Sequence, residues 1–289
     1  MSNQHTDQLK ALYAPLKEWE IRVLDIMPSW KLSSPIQATM RTIDLQNAGT
    51  SEPHTHGYEA LSYVWGSRTE GYTVRVANYD VPVTDNLYRA LRRLRFRQCL
   101  RTLWVDAICI HQADVEERNA QVRMMGKIYE QADIVDIWLG EPGGPRERNN
   151  FRLLLHPSLL IWGVFVRRAG DYVPRSRKLW IVLRGTLDEM ESALRNAEKP
   201  WHTRAWVVQE FVLARKTRLC FGPTTLHLQE VDFVAPCFHG VPRLPFFYQC
   251  IRSCRDFNAM RTDRRKALSQ RKNTGFQPTK SSKLYRETR

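Results

Sequence analysis

A single carboxylate set in an apolar helix is where this sequence first suggests chemistry. Glu210 is the only charged residue between Ala205 and Ala214, a segment otherwise made of Trp206, Val207, Val208, Gln209, Phe211, Val212 and Leu213. At helical spacing it shares a face with Trp206, Val207, Leu213 and Ala214. A carboxylate so placed must be paired, protonated or functional, because an unpaired charge is costly to bury. Desolvation raises its pKa, and a carboxylate tuned in that way suits acid–base work or the stabilisation of positive charge on a ribose as a glycosidic bond breaks. The competing account is a salt bridge to Arg204, Arg215 or another arginine.

Two further groups of polar residues follow apolar runs. Tyr58-Glu59-Ala60-Leu61-Ser62-Tyr63-Val64-Trp65-Gly66 reads as a strand ending in a polar, aromatic, glycine-containing turn, and Leu103 to Ile110 as a second strand carrying Asp106, with His111 and Gln112 after it. Turns at the carboxyl ends of parallel strands are where α/β folds bind ligands. Asp106 is either a positioning residue or a carboxylate capping local backbone donors. Gln121 shares a helical face with Met124, Met125 and Ile128, which suits a buried amide bonded to backbone. Trp65, Trp104 and Trp138 read as core.

Several chemistries are disfavoured. Ser62 lacks the Gly-x-Ser-x-Gly elbow of a serine hydrolase, and no histidine has an assignable base role. There is no P-loop, no Gly-x-Gly-x-x-Gly and no paired metal-binding carboxylate motif. The six cysteines include no Cys-x-x-Cys pair and lack zinc-type spacing, so they read as reduced thiols in a cytoplasmic protein with no metal site.

These residues need elements to hold them. Glu59 to Trp65, Leu103 to Ile110 and Ile134 to Leu139 are apolar enough for buried strands. Thr84 to Gln98 and Asp114 to Gln131 carry helical periodicity between them. Thr84 and Asp114 are the expected N-caps, with Glu117 completing a capping-box-like start. Strand, helix, strand, helix, strand predicts a parallel sheet covered by helices on both faces. Val74 to Val83 fits an inserted hairpin. Trp19 to Ile26 and Ile36 to Leu45, separated by Pro28 and Pro35, read as two edge strands of an N-terminal β extension. A helix over Thr203 to Ala214 and a strand over Thr217 to Phe221 follow. Phe151 to Val182 has no clean periodicity.

At 289 residues and 43% hydrophobic the chain can bury a sizeable core. Residues 1–10 lack a signal-peptide core, and the most apolar run, Leu159 to Val166, is too short to span a bilayer. Of the net charge of +14, much lies in residues 252–289, where twelve Lys and Arg face three acidic residues. That composition predicts a disordered tail, either a solubilising terminus or an electrostatic tether to nucleic acid or an anionic membrane. Arg89, Arg92, Arg93, Arg95, Arg97 and Arg101 read as a solvated basic face.

Three blocks carry a family resemblance. They are Tyr58 to Gly66; Leu103 to Gln112 continuing through Glu116, Glu117, Gln121, Met124, Ile128, Tyr129, Ala132 and Trp138-Leu139-Gly140; and Pro200-Trp201-His202-Thr203-Arg204-Ala205-Trp206-Val207-Val208-Gln209-Glu210. In this order they resemble the heterokaryon incompatibility (HET) domain of filamentous fungi, with His111 standing where the family usually carries Asn. HET domains are in turn similar to Toll/interleukin-1 receptor (TIR) domains.

The resemblance implies a TIR-like, flavodoxin-like sheet over residues 58–222, preceded by a β extension and linker (1–57) and followed by an extension (223–251) and the basic tail (252–289). It implies an effector of self/non-self recognition that promotes growth arrest or cell death, working by self-association or with other incompatibility proteins. Some TIR domains cleave NAD with a glutamate four residues after a tryptophan, a spacing that Trp206 and Glu210 match. NAD is then the implied substrate, with Ser62, Tyr63, Trp65, Gly66, Asp106, His111, Gln112 and Trp206 around it. A degenerate or truncated, inactive family member is the remaining alternative.

Overall fold

The computed structural model describes residues 12–46, 57–66, 71–141, 201, 204, 206–227, 256–257 and 259–269. In chain order these form β1 (Glu20–Ile26), β2 (Gln37–Asp44), β3 (Glu59–Ser62), β4 (Thr73–Val76), β5 (Tyr79–Pro82) and α1 (Asp85–Leu94). Next come β6 (Arg101–Trp104), α2 (Asp106–Cys109), α3 (Val115–Gln131), β7 (Ile134–Gly140), α4 (Val207–Leu213), β8 (Thr217–Phe221) and β9 (Thr224–His227).

All nine strands join one mixed sheet in the order β5-β4-β2-β1-β6-β3-β7-β8-β9. Its centre, β6-β3-β7-β8, is parallel, and β1 runs antiparallel to both β6 and β2. The architecture is the expected α/β class. Right-handed crossovers put α1, which links β3 to β6, on one face, and α3 and α4, which follow connections running the other way, on the opposite face. α3 and α4 pack against each other at Gly126, where a Cβ would sit 2.7 Å from the Gln209 amide nitrogen.

The N-terminal strands correct an expectation. Their sequence suggests edges, yet β1 and β2 are interior strands of the same sheet, and β4 and β5, the expected hairpin, add outside β2. The reason lies in β1: Ile21, Val23, Leu24 and Ile26 are buried on both faces, which an edge strand with one wet side does not need. Arg22, buried among them, forms a two-pronged ion pair with Glu117 at 2.6 and 2.9 Å. Glu117 therefore does not reach back to the Asp114 N–H; its carboxylate is taken by Arg22 and the His111 N–H, and the capping box is not formed. Thr84 and Asp114 do cap α1 and α3.

Three other readings shift. Residues 106–109, expected in a strand, form a helical turn, because the strand ends at Trp104 and Asp106 bonds the Ala107 N–H. Trp104 and Trp138 are core, whereas Trp65 is exposed. Gln121 is buried and donates to the Glu20 carbonyl at 2.9 Å.

Residues 256–257 and 259–269, assigned by composition to a disordered tail, are helical. Phe257 packs on Phe211, the buried Arg261 donates to the Phe211 carbonyl at 2.6 Å, and Arg264 pairs with Glu130 on α3 at 2.6 Å, so specific contacts anchor a segment whose average charge argued against folding. The rest of the tail, and Phe151 to Val182, lie outside the described residues.

Strand alternation sorts the buried polar groups by face. Glu59, Arg101, Asp136 and Arg218 meet on the α1 face in a network of ion pairs. Ser62, one pleat out of phase with Glu59 and Leu61, points to the α4 face.

Candidate functional site

The Ser62 hydroxyl donates to the Glu210 carboxylate and accepts from the indole N–H of Trp201 at 2.6 Å. This chain, Trp201 to Ser62 to Glu210, ties the end of β3 to the first turn of α4. The hydroxyl is engaged on both sides, which suits it to hold the carboxylate rather than to attack a substrate. Glu210 is only 2% exposed and shares its buried side with Val207, Phe211 and Ala214. Trp206, expected on that face, turns outward and is exposed.

The cation anticipated for Glu210 is Arg204. One of its nitrogens lies 3.8 Å from the carboxylate and another donates to the Tyr63 carbonyl. Arg215 is exposed.

Above this layer, at the carboxyl ends of β3 and β6, opens a cleft of about 620 Å³. Its walls are Val64, Trp65 and Gly66 after β3; Asp106, Ile110 and Gln112 after β6; Arg118, Val122 and Met125 on α3; and Arg204 and Trp206 before α4. Gly66, in the cleft wall, has φ +72°, the left-handed backbone that a glycine adopts without penalty. Asp106 accepts from the Trp65 indole and the Ala107 N–H, both at 2.7 Å, and Gln112 donates to the Asp106 carbonyl at 2.8 Å. Arg118 in turn donates to the Gln112 carbonyl.

Of the nine residues singled out from sequence, Trp65, Gly66, Asp106, Gln112 and Trp206 line the cleft. Ser62, Tyr63 and Glu210 form the layer behind it, and Arg204 belongs to both. His111 is absent from the cleft wall: its ring stacks on Tyr13 at 4.6 Å. Arg118, Trp201 and the place of Arg204 in the cleft wall were not foreseen. Arg118 had a signal, a cation one helical turn after Asp114; Trp201 had none beyond its neighbourhood.

The sequence model for heterokaryon incompatibility protein (HET) matches residues 58–210, just over half of the chain. The chain belongs to the HET family. It is also 29% identical over 236 residues to heterokaryon incompatibility protein 6, OR allele, of Neurospora crassa, an alignment covering 70% of this chain and 33% of that protein. The HET chain thus spans about a third of the curated relative's length. No solved structure matches it.

The matched region of this HET protein begins at Tyr58, just before β3, and ends at Glu210. It therefore contains the cleft walls and the Trp201–Ser62–Glu210 chain entire. Burial pushes the Glu210 pKa up; Arg204 and the Ser62 hydroxyl oppose the rise, and Asp106 adds to it. Asp106 is likewise raised by burial, against the Trp65 and Ala107 donors, Arg204 and Tyr63. The Tyr63 hydroxyl is held well above its ordinary value by burial and by Asp106.

A stability signature follows for Glu210. Because folding raises its pKa, the native state keeps a proton that the unfolded chain loses near pH 4.3. Its effect on stability is therefore most favourable below that pH, and stability falls as pH rises toward the folded value. Glu210→Gln, which cannot ionise, is expected to flatten this part of the profile and to gain on wild type as pH rises. Urea unfolding midpoints of both proteins from pH 4 to 8 check this; parallel profiles would show that burial does not hold the proton.

Proposed function

We propose that this chain acts in fungal heterokaryon incompatibility, as a cytoplasmic effector whose HET domain promotes growth arrest or cell death by associating with itself or with other incompatibility proteins. The observation that carries the reading is that the family region coincides with the complete site: both walls of the cleft and the buried chain behind it lie between residues 58 and 210. Assembly is favoured over turnover by the state of Glu210, which is enclosed and paired through Ser62 and Arg204 rather than presented to the cleft.

Forced heterokaryons between a strain expressing the chain and an otherwise identical strain lacking it are expected to show arrested growth. Fusions that grow as well as self-fusions, across a panel of partner strains and with the protein detectably expressed, would overturn the reading.

A second reading, cleavage of NAD at the nicotinamide–ribose bond, is supported by one specific observation. A carboxylate with a burial-raised pKa lies 3.8 Å from an arginine that also lines a cleft with two exposed tryptophans. Displacing Arg204 would open Glu210 to a ligand, and the carboxylate could then stabilise positive charge developing on the ribose. Trp65 and Trp206 offer flat surfaces for a ring, and Arg118 a charge for phosphate. Nicotinamide release from NAD by concentrated protein is the deciding measurement.

A further inference from the structure

At the opposite end of the sheet from the cleft, two loops come together. Residues 27–36 leave the carboxyl end of β1, and residues 95–100 enter the amino end of β6; the strands pair there, Ile26 opposite Arg101. Between them the loops expose four large apolar side chains: Trp30 at 66%, Leu100 at 53%, Leu32 at 40% and Phe96 at 39%. Lys31 and Arg97 are exposed with them, and the Arg97 guanidinium lies 5.9 Å from the Trp30 ring centre. Neither loop contains an aspartate or glutamate. The carboxylates on the strand ends beside the loops, Asp25 on β1 and Glu59 on β3, are already bound by Arg41 and by Arg101 and Arg218.

The display is braced from behind. Arg95 is buried and donates to the carbonyls of Pro35 and Lys31, each at 2.9 Å, and of Leu32 at 3.4 Å. Arg92 reaches the Leu32 carbonyl, the Ser29 N–H donates to the Phe96 carbonyl, and Arg101 lies 4.6 Å from the Phe96 ring centre. A guanidinium is expensive to bury, and here its donors go to the backbone of a loop whose large side chains point at water. That is the construction of a surface kept in one shape for contact, and an exposed apolar patch rimmed by charge marks an interaction site.

We propose that these two loops are a docking surface for an anionic lipid bilayer. Tryptophan, phenylalanine and leucine enter the interface between headgroups and acyl chains, while lysine and arginine keep their stems in it and their charges at the headgroups. The two leucines set this apart from a single-stranded nucleic-acid platform, which uses flat rings for stacking and gains nothing from branched aliphatic groups. Among the described residues no helix is long and apolar enough to cross a membrane. The cleft, at the far end of the sheet, stays open to the solution.

The test uses the full chain with sedimented vesicles of phosphatidylcholine alone and of phosphatidylcholine mixed with phosphatidylserine. Wild type is expected to bind the mixed vesicles and to release as salt is raised. Trp30→Ser with Leu100→Ser is expected to weaken binding roughly tenfold or more. Lys31→Gln with Arg97→Gln is expected to weaken it about fivefold per charge. All four side chains are exposed, so unchanged thermal unfolding of both variants is part of the expected result. No binding to the mixed vesicles overturns the proposal. So does binding that the Trp30 and Leu100 substitutions leave intact, which would assign it to charge elsewhere, such as the basic tail. Tighter binding to a single-stranded RNA at the same salt, lost in the same variants, would overturn it in favour of nucleic acid.

Discussion

Asp136→Ala is expected to destabilise the fold by about 3–5 kcal/mol, the usual consequence of removing one partner from a buried ion pair. Asp136 sits on β7, fully buried, and accepts from Arg101 and from Arg218, both at 2.6 Å. Glu59, at the start of β3, also binds both arginines, through Arg101 Nε at 2.6 Å and Arg218 Nη2 at 3.0 Å. Two carboxylates and two guanidiniums thus link four adjacent parallel strands. Burial pushes the Glu59 pKa up, Asp136 adds to the rise, and the two arginines oppose it.

Without Asp136, Arg101 and Arg218 share a single carboxylate, and Arg101, only 6% exposed, recovers little hydration in exchange. Urea unfolding measures the loss. Adding Arg218→Met to Asp136→Ala is expected to recover part of it, because Arg101 then has Glu59 to itself; a double-mutant cycle gives the coupling. A loss below about 1 kcal/mol for Asp136→Ala would mean that the cluster contributes no more than exposed pairs do.

The second large effect belongs to the NAD-cleaving reading. If that reading holds, Glu210→Gln is expected to reduce nicotinamide release by about 10²–10⁴-fold, the range typical of removing a positioned acid–base group. Glutamine keeps the size of the side chain and still accepts from Ser62, so the loss would report chemistry rather than collapse of the site. Equal release by the variant would remove Glu210 from the reaction, and no release by wild type at any concentration would remove the reaction. Growth arrest that survives Glu210→Gln in a folded protein would favour assembly.

Much of the fold could be read from residue patterns, and the misses have local causes. Helices α1 and α3 announced themselves through apolar periodicity and the caps Thr84 and Asp114. The hairpin and the parallel strands followed from short apolar runs between turns. β1 and β2 were misplaced because an apolar strand flanked by prolines looks the same at an edge as inside a sheet; only pairing partners distinguish the two. Glu117 looked like a cap because spacing along the chain cannot reveal a buried arginine arriving from β1. The helical segment at 259–269 was hidden by averaging its charge, whereas particular side chains, Phe257 and Arg261, make contacts with Phe211 of α4.

The candidate site divides in the same way. Glu210 stood out by itself, because one carboxylate in an apolar helix is unusual whatever the fold, and the three family blocks could be aligned without coordinates. Sequence also supplied the possible partner, Arg204. Only the tertiary structure decided that Ser62 holds Glu210, that Arg204 joins the carboxylate to the cleft, that Trp65 and Trp206 face outward, and that His111 stacks on Tyr13. Those contacts join residues up to 148 positions apart along the chain. Local spacing dictates which face of a helix or strand a side chain takes; which partner waits there is set by the order of strands in the sheet.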